Sequence, residues 1–225
     1  MSGAELTSST VRWLFAADWA EAPSGGQPMR VPGAKVSGLE TAASLLTIAV
    51  WSLGDRGLVE TEQIRPIERE RVVTMGGKSF ARVRPLPGEA LRLGGLEGAL
   101  LSKAREPASA GLLGRFDDML ADKLSGDDEH GLRGLVLSLE LNSGQPWVSV
   151  ANYARDQARA AGLVELEGRI RRKPVIADPG AIESLRARDR EIAEARRRYR
   201  EREAPELDQA VFADCVAAVS WARTD

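Results

Sequence analysis

This chain has one cysteine, one histidine and no long apolar run, so it is poor in the features that announce chemistry or a membrane span. Cys215 alone excludes an intrachain disulfide framework and any cysteine-based zinc knuckle. A Ser–His–acid triad would have to use His130, yet Asp127-Asp128-Glu129-His130 reads as the exposed start of a helix. No Gly-x-Ser-x-Gly elbow sets a serine on a sharp strand-to-helix turn. The apolar stretches carry polar interruptions and fall short of the roughly 18–20 residues that a spanning helix needs. No basic segment leads into an apolar one at the start, so the expectation is a cytoplasmic chain, with peripheral attachment at the inner membrane surface as its variant. With 31 basic and 33 acidic residues the net charge is −2 and the pI is about 5.7. That balance excludes a global positive field and leaves local patches as the route to nucleic acid or anionic lipid.

Two further motifs are set aside on spacing. Gly76-Gly77-Lys78-Ser79 lacks the earlier glycine of a phosphate loop, because Val72 stands there, and it lies between two strand-like segments with no helix to follow. A tight hairpin turn explains it. Asp117-Asp118 and Asp127-Asp128-Glu129 offer hard oxygen ligands, but neighbouring helix residues diverge and no calcium-loop spacing is present. No catalytic, metal or cofactor site is expected.

What is present is helical periodicity. Thr10 to Ala22 carries an apolar stripe of Val11, Leu14, Phe15, Trp19 and Ala22, followed by a stop at Ser24-Gly25-Gly26 and a loop from Pro28 to Gly33. Ser37-Gly38-Leu39-Glu40 fits a capping box opening a central helix that Gly57 ends. Leu58 to Ile64 reads as a strand, and Val72 to Val83 as a hairpin about Gly76-Gly77. Helices are expected over Leu96 to Ala104, along the Leu112–Leu124 stripe, and from a cap at Asp127-Asp128 through Leu139. Another runs from Trp147 to Gly162, with short strands at Leu163–Leu166 and Arg171–Ile176. Asp178-Pro179 starts a long charged helix, and Pro205 separates it from a terminal one packed through Val211, Phe212, Cys215 and Val219.

Two of these helices leave through the same tetrapeptide, Gly57-Leu-Val-Glu60 and Gly162-Leu-Val-Glu165, each before a charged strand pair. The expected fold is α+β and mainly helical, with tandem winged-helix-like modules and short β-hairpins. Its segments are 1–36, 37–145 and 146–225, sharing one core.

The clearest local charge is Arg169, Arg171, Arg172 and Lys173 on the second hairpin, a candidate phosphate-binding cluster. In a winged helix that hairpin would be the wing, and Asn152, Arg155, Gln157 and Arg159 the candidate nucleic-acid-reading face. The arginines between Arg186 and Arg202 interleave with acids, as on a salt-bridged solvated helix.

The order helix, Gly-Leu-Val, basic hairpin, then Pro174-Val175-Ile176-Ala177-Asp178-Pro179 into an arginine-rich helix resembles the Golgi phosphoprotein 3-like family, especially its bacterial members. Leu45 to Val59 and the following hairpin add to the resemblance, which covers about half the chain. It implies a non-enzymatic peripheral adaptor for phosphoinositide or membrane, with Arg171, Arg172 and Lys173 as headgroup contacts and Met75 to Phe80 as an inserted hairpin. Gly76-Gly77-Lys78 at that tip departs from an apolar wedge. The leading expectation is a non-catalytic protein-binding or scaffolding protein, with a protein partner or self-association. Anionic lipid and nucleic acid are the alternative ligands.

Overall fold

The computed structural model describes residues 5–23, 28–64, 80–87, 93–106, 130–139, 141, 145–168 and 172–221, and elements are numbered among these. The axis is α3 (Gly38–Asp55), apolar on nearly every side: Ala42, Ala43, Leu45, Leu46, Ala49, Val50 and Leu53 are all buried. Around it pack α1 (Ser8–Leu14), α4 (Gly95–Arg105), α6 (Pro146–Ala160) and α9 (Pro205–Trp221). The protein is thus mainly helical, with short antiparallel strands at the margins, and buried apolar residues from Val11 to Val219 form one cluster.

Three local expectations are corrected. The first helix starts at Ser8 and stops at Leu14, and a short α2 (Ala16–Trp19) follows. The Trp19 indole N–H donates to the Arg12 carbonyl (2.9 Å), the acceptor that a continuous helix would offer to the Ala16 amide. Pro28 to Gly33 is not a loop. β1 (Pro28–Val31) and β2 (Ala34–Ser37) form a hairpin about Pro32-Gly33, and Met29, Val31 and Val36 are buried. The capping box does not close, since the Ser37 hydroxyl makes no cap hydrogen bond. Ser37 is also the last residue of β2, paired to Pro28, and its N–H donates to the Glu21 carbonyl (2.8 Å).

β3 (Val59–Ile64) pairs with β4 (Phe80–Pro85), whose outer edge takes the two-residue β5 (His130–Gly131) ahead of α5 (Leu132–Leu137). The expected Gly76-Gly77 turn, the Leu112–Leu124 stripe and the Asp127-Asp128 cap lie outside the described residues. β6 (Val164–Glu167) pairs with β7 (Lys173–Ile176). Asp178 caps α7 (Pro179–Ser184) as expected, accepting from the Ala181 amide (2.9 Å). The charged helix then breaks at Leu185 into α8 (Arg186–Arg198) and a π-helical turn (Tyr199–Glu203) before α9.

The two Gly-Leu-Val-Glu segments are built alike. Gly57 has φ +65° and Gly162 φ +75°, the left-handed region that an L side chain enters at a cost. In the first unit Leu58 N–H bonds the Leu53 carbonyl (3.0 Å) and Gly57 N–H the Gly54 carbonyl (2.8 Å). In the second, Leu163 bonds Ala158 (3.0 Å) and Gly162 bonds Arg159 (2.9 Å). These are the same two helix-ending bonds. Leu86 N–H then reaches Leu58, and Ala177 N–H reaches Leu163, both at 2.9 Å, so the returning strands share a register as well. The helices that lead into them differ: α3 is buried along most of its length and α6 on one face only, although both end in exposed residues, Asp55 to Gly57 and Arg159 to Gly162.

Candidate functional site

α6 is amphipathic, burying Trp147, Val150, Ala151, Ala154 and Ala158, and its last turn and the β6–β7 hairpin enclose an open groove of about 690 Å³. Asp156, Arg159 and Ala160 line it from the helix, and Val164, Glu165, Leu166 and Arg172 from the hairpin. Two residues expected to serve different ligands, Arg159 and Arg172, therefore face one space. Both are exposed, and neither makes an ion pair among the described residues. Asp156 is held by its neighbour Arg155 (3.0 Å). Glu165, the other lining carboxylate, makes no ion pair among the described residues, so the lining carries two cations and two anions.

The other sequence candidates scatter. Lys173 is exposed at the start of β7, and Arg169 and Arg171 lie outside the described residues. Asn152, Arg155 and Arg159 share one face of α6, because 100° per residue brings positions three, four and seven apart together. Gln157 points the opposite way. Its amide oxygen accepts from the hydroxyls of Thr7 (2.9 Å) and Thr10 (2.5 Å), and its nitrogen donates to the Glu5 carbonyl (3.2 Å). Gln157 thus ties α6 to the start of α1, and the four residues do not form one reading surface.

Beside it lies a polar site that sequence reasoning missed. Glu97 on α4 is buried, accepting from the Ser9 amide (2.8 Å) and the Ser9 hydroxyl (2.5 Å). Since the Thr7 hydroxyl is engaged by Gln157, Glu97 supplies the acceptor and the negative charge that the first turn of α1 needs. A glutamate at an apolar-facing position of a helix was the available signal. Ser9 and Glu97 are both enclosed, which makes the pair a structural cap.

α8 is held largely by charge. Arg186 bonds Glu183 and Asp18, Arg188 bonds Glu5 and the Leu6 carbonyl, and Arg197 pairs with Glu194. Arg12 reaches the buried Asp189 (2.8 Å) beneath them. Where α8 meets α9, Arg196 pairs with buried Asp208, which also accepts from the Trp51 indole N–H (2.9 Å). Tyr199 stacks on Trp51 with centroids 4.1 Å apart and planes 9° from parallel, and its hydroxyl donates to Asp55. Burial, then that hydrogen bond, push the Tyr199 phenol up to about 12. Cys215 is fully buried on α9, and burial pushes its thiol up to about 12, so it is a packing residue at neutral pH.

Among the described residues no cluster of His, Cys, Asp and Glu has the makings of a metal site, and no helix is long and apolar enough to cross a membrane. No family model, curated protein or solved structure matches the chain.

Proposed function

We propose that this chain is a non-catalytic binding protein that holds a protein partner in the groove between α6 and the β6–β7 hairpin. The observation that carries this reading is the pair Arg159 and Arg172, one from each wall, both without an ion pair among the described residues. Most cations of the neighbouring α8 are already engaged by acids of the same chain. Arginines without an ion pair in an open groove are residues suited to anchor protein interfaces, where Arg is enriched.

A second reading, an anionic-lipid or phosphoinositide surface at the inner face of a membrane, draws on Arg172 and Lys173, both exposed, with Arg169 and Arg171 close by in sequence. The resemblance to the Golgi phosphoprotein 3-like family points the same way. Nucleic-acid reading has less behind it, since Gln157 is turned into the protein.

A photoreactive amino acid at Ala160, in the full chain inside cells, separates these readings. The protein-partner reading expects a protein adduct of discrete mass that R159E and R172E each weaken. Lipid adducts alone, with sedimentation on anionic vesicles that depends on the same arginines, would establish the second reading in its place. No arginine-dependent adduct of either kind overturns both.

A further inference from the structure

α8 gives almost no apolar surface to the core. Of its 13 residues only Asp189 is buried, and Ile192 alone packs an apolar side chain against the interior. Both of its ends are fixed nonetheless. Ile182 of α7 is buried just before it, and Tyr199 of the π-helical turn is stacked on Trp51 just after it. The regular helix is interrupted at the same two places, at Leu185 and at the π-helical turn. α8 is thus a polar strap slung between two anchored points, and it lies across α1.

Charge holds the strap down. At its start Arg186 bonds Asp18 and lies over the Phe15 ring (4.9 Å), Arg188 bonds Glu5 and the Leu6 carbonyl, and Asp189 receives Arg12 from α1 (2.8 Å). At its far end Arg196 pairs with Asp208 of α9. The exposed pairs contribute little and are screened by salt. The two enclosed pairs, Arg12–Asp189 and Arg196–Asp208, gain attraction but give up the hydration of both partners, so releasing both partners to water costs far less than deleting one. With little apolar area to lose, undocking α8 costs less than unfolding α3, whose apolar residues are buried on nearly every side. Off the body, a helix of 13 residues is at the limit of stability in water and frays.

We propose that α8 is a salt-released strap: as ionic strength rises it leaves α1 as one unit between its two fixed ends, while the rest of the fold stays closed. Opening uncovers Arg12 and Phe15, which are enclosed when the strap is docked. None of the groove residues takes part, so this device is independent of the protein-partner reading above.

The test is amide hydrogen exchange of the full-length protein, followed by mass spectrometry at about 20 mM and about 500 mM sodium chloride, which bracket weak and strong screening. Exchange in α8 should run ahead of exchange in α3 at both concentrations. Relative to α3 in the same sample, it should rise about fivefold or more at the higher salt. Asp18→Asn removes one exposed latch to the body and should raise α8 exchange about two- to fivefold at low salt. Glu60→Gln removes another exposed pair, on the β3–β4 hairpin, and should leave α8 unchanged. The salt comparison needs no variant, and Asp18 is exposed, so loss of folding does not stand in for release of the strap. Exchange in α8 that matches α3, that ignores salt, or that rises only together with α3 overturns the proposal. An unchanged rate in Asp18→Asn, or an equal rise in Glu60→Gln, overturns it as well.

Discussion

Replacing Gly57 or Gly162 by alanine tests whether the two helix–hairpin units are built alike. Both glycines have positive φ, +65° and +75°, and a methyl group added at either would meet no atom within 4 Å. Packing is therefore removed from the comparison, and backbone strain remains. A left-handed conformation costs an L residue about 1–2 kcal/mol. Alanine also restricts the unfolded chain relative to glycine, which offsets about 0.4–1 kcal/mol. The expected net loss is roughly 0.5–1.5 kcal/mol at each position, nearly equal for the two. Gly57→Asn and Gly162→Asn should lose less, since Asn tolerates this region. Urea denaturation followed by circular dichroism reads the loss as a lower midpoint at unchanged slope. No loss at one site and a loss above about 3 kcal/mol at the other would show that the two helix ends are not held by the same bonds, refuting the correspondence.

Other expectations follow from single contacts. Glu97→Ala strips the Ser9 amide and hydroxyl of their acceptor in a closed site, and should cost about 2–4 kcal/mol in chemical denaturation. Glu97→Gln, which keeps a carbonyl acceptor, should cost less. Asp214→Ala leaves the Ala81 amide without its acceptor and should cost about 1–2 kcal/mol, with faster hydrogen exchange at Ala81. Cys215 makes stability fall at alkaline pH. Its folded value, about 12, is raised above the ordinary 9, so its contribution is complete below pH 9 and is lost as pH rises toward 12. Its share of the slope is about 1.4 kcal/mol per pH unit, and Cys215→Ala should flatten denaturation midpoints measured across that window by this amount.

Much of the scaffold is readable because it depends on neighbours in sequence. The apolar run of α3, the Gly-Leu-Val exits, the Asp178-Pro179 start and the stripe of α9 are local patterns, and each forms where its pattern lies. Readings fail where a distant group takes over a local bond. Trp19 claims the Arg12 carbonyl and breaks the first helix, while strand pairing and Glu21 hold Ser37 away from its capping box. The β1–β2 hairpin had a signal, Pro32-Gly33 between Met29, Val31 and Val36, that a loop reading passes over. For the site, sequence marks Arg159 and Arg172 as exposed cations but assigns them to different surfaces. Only folding of the hairpin back against α6 puts them on one groove. Gln157 looks polar and available in sequence, and the threonines that bury it are some 150 residues away.

The most direct measurement compares thiol reactivity at corresponding positions of the two units, five residues before Leu86 and Ala177, in A81C and R172C proteins. Native Cys215 is buried and gives a silent background. Ala81 is fully buried with Asp214 bonded at its amide, whereas Arg172 is exposed in the groove. The account predicts that R172C reacts with a maleimide as fast as a thiol in an unfolded peptide. A81C should react only through opening of the fold, slower by about a hundredfold or more. Equal rates at the two positions would show that α9 does not cover the first unit at Ala81, and that the open groove is not what sets the second unit apart.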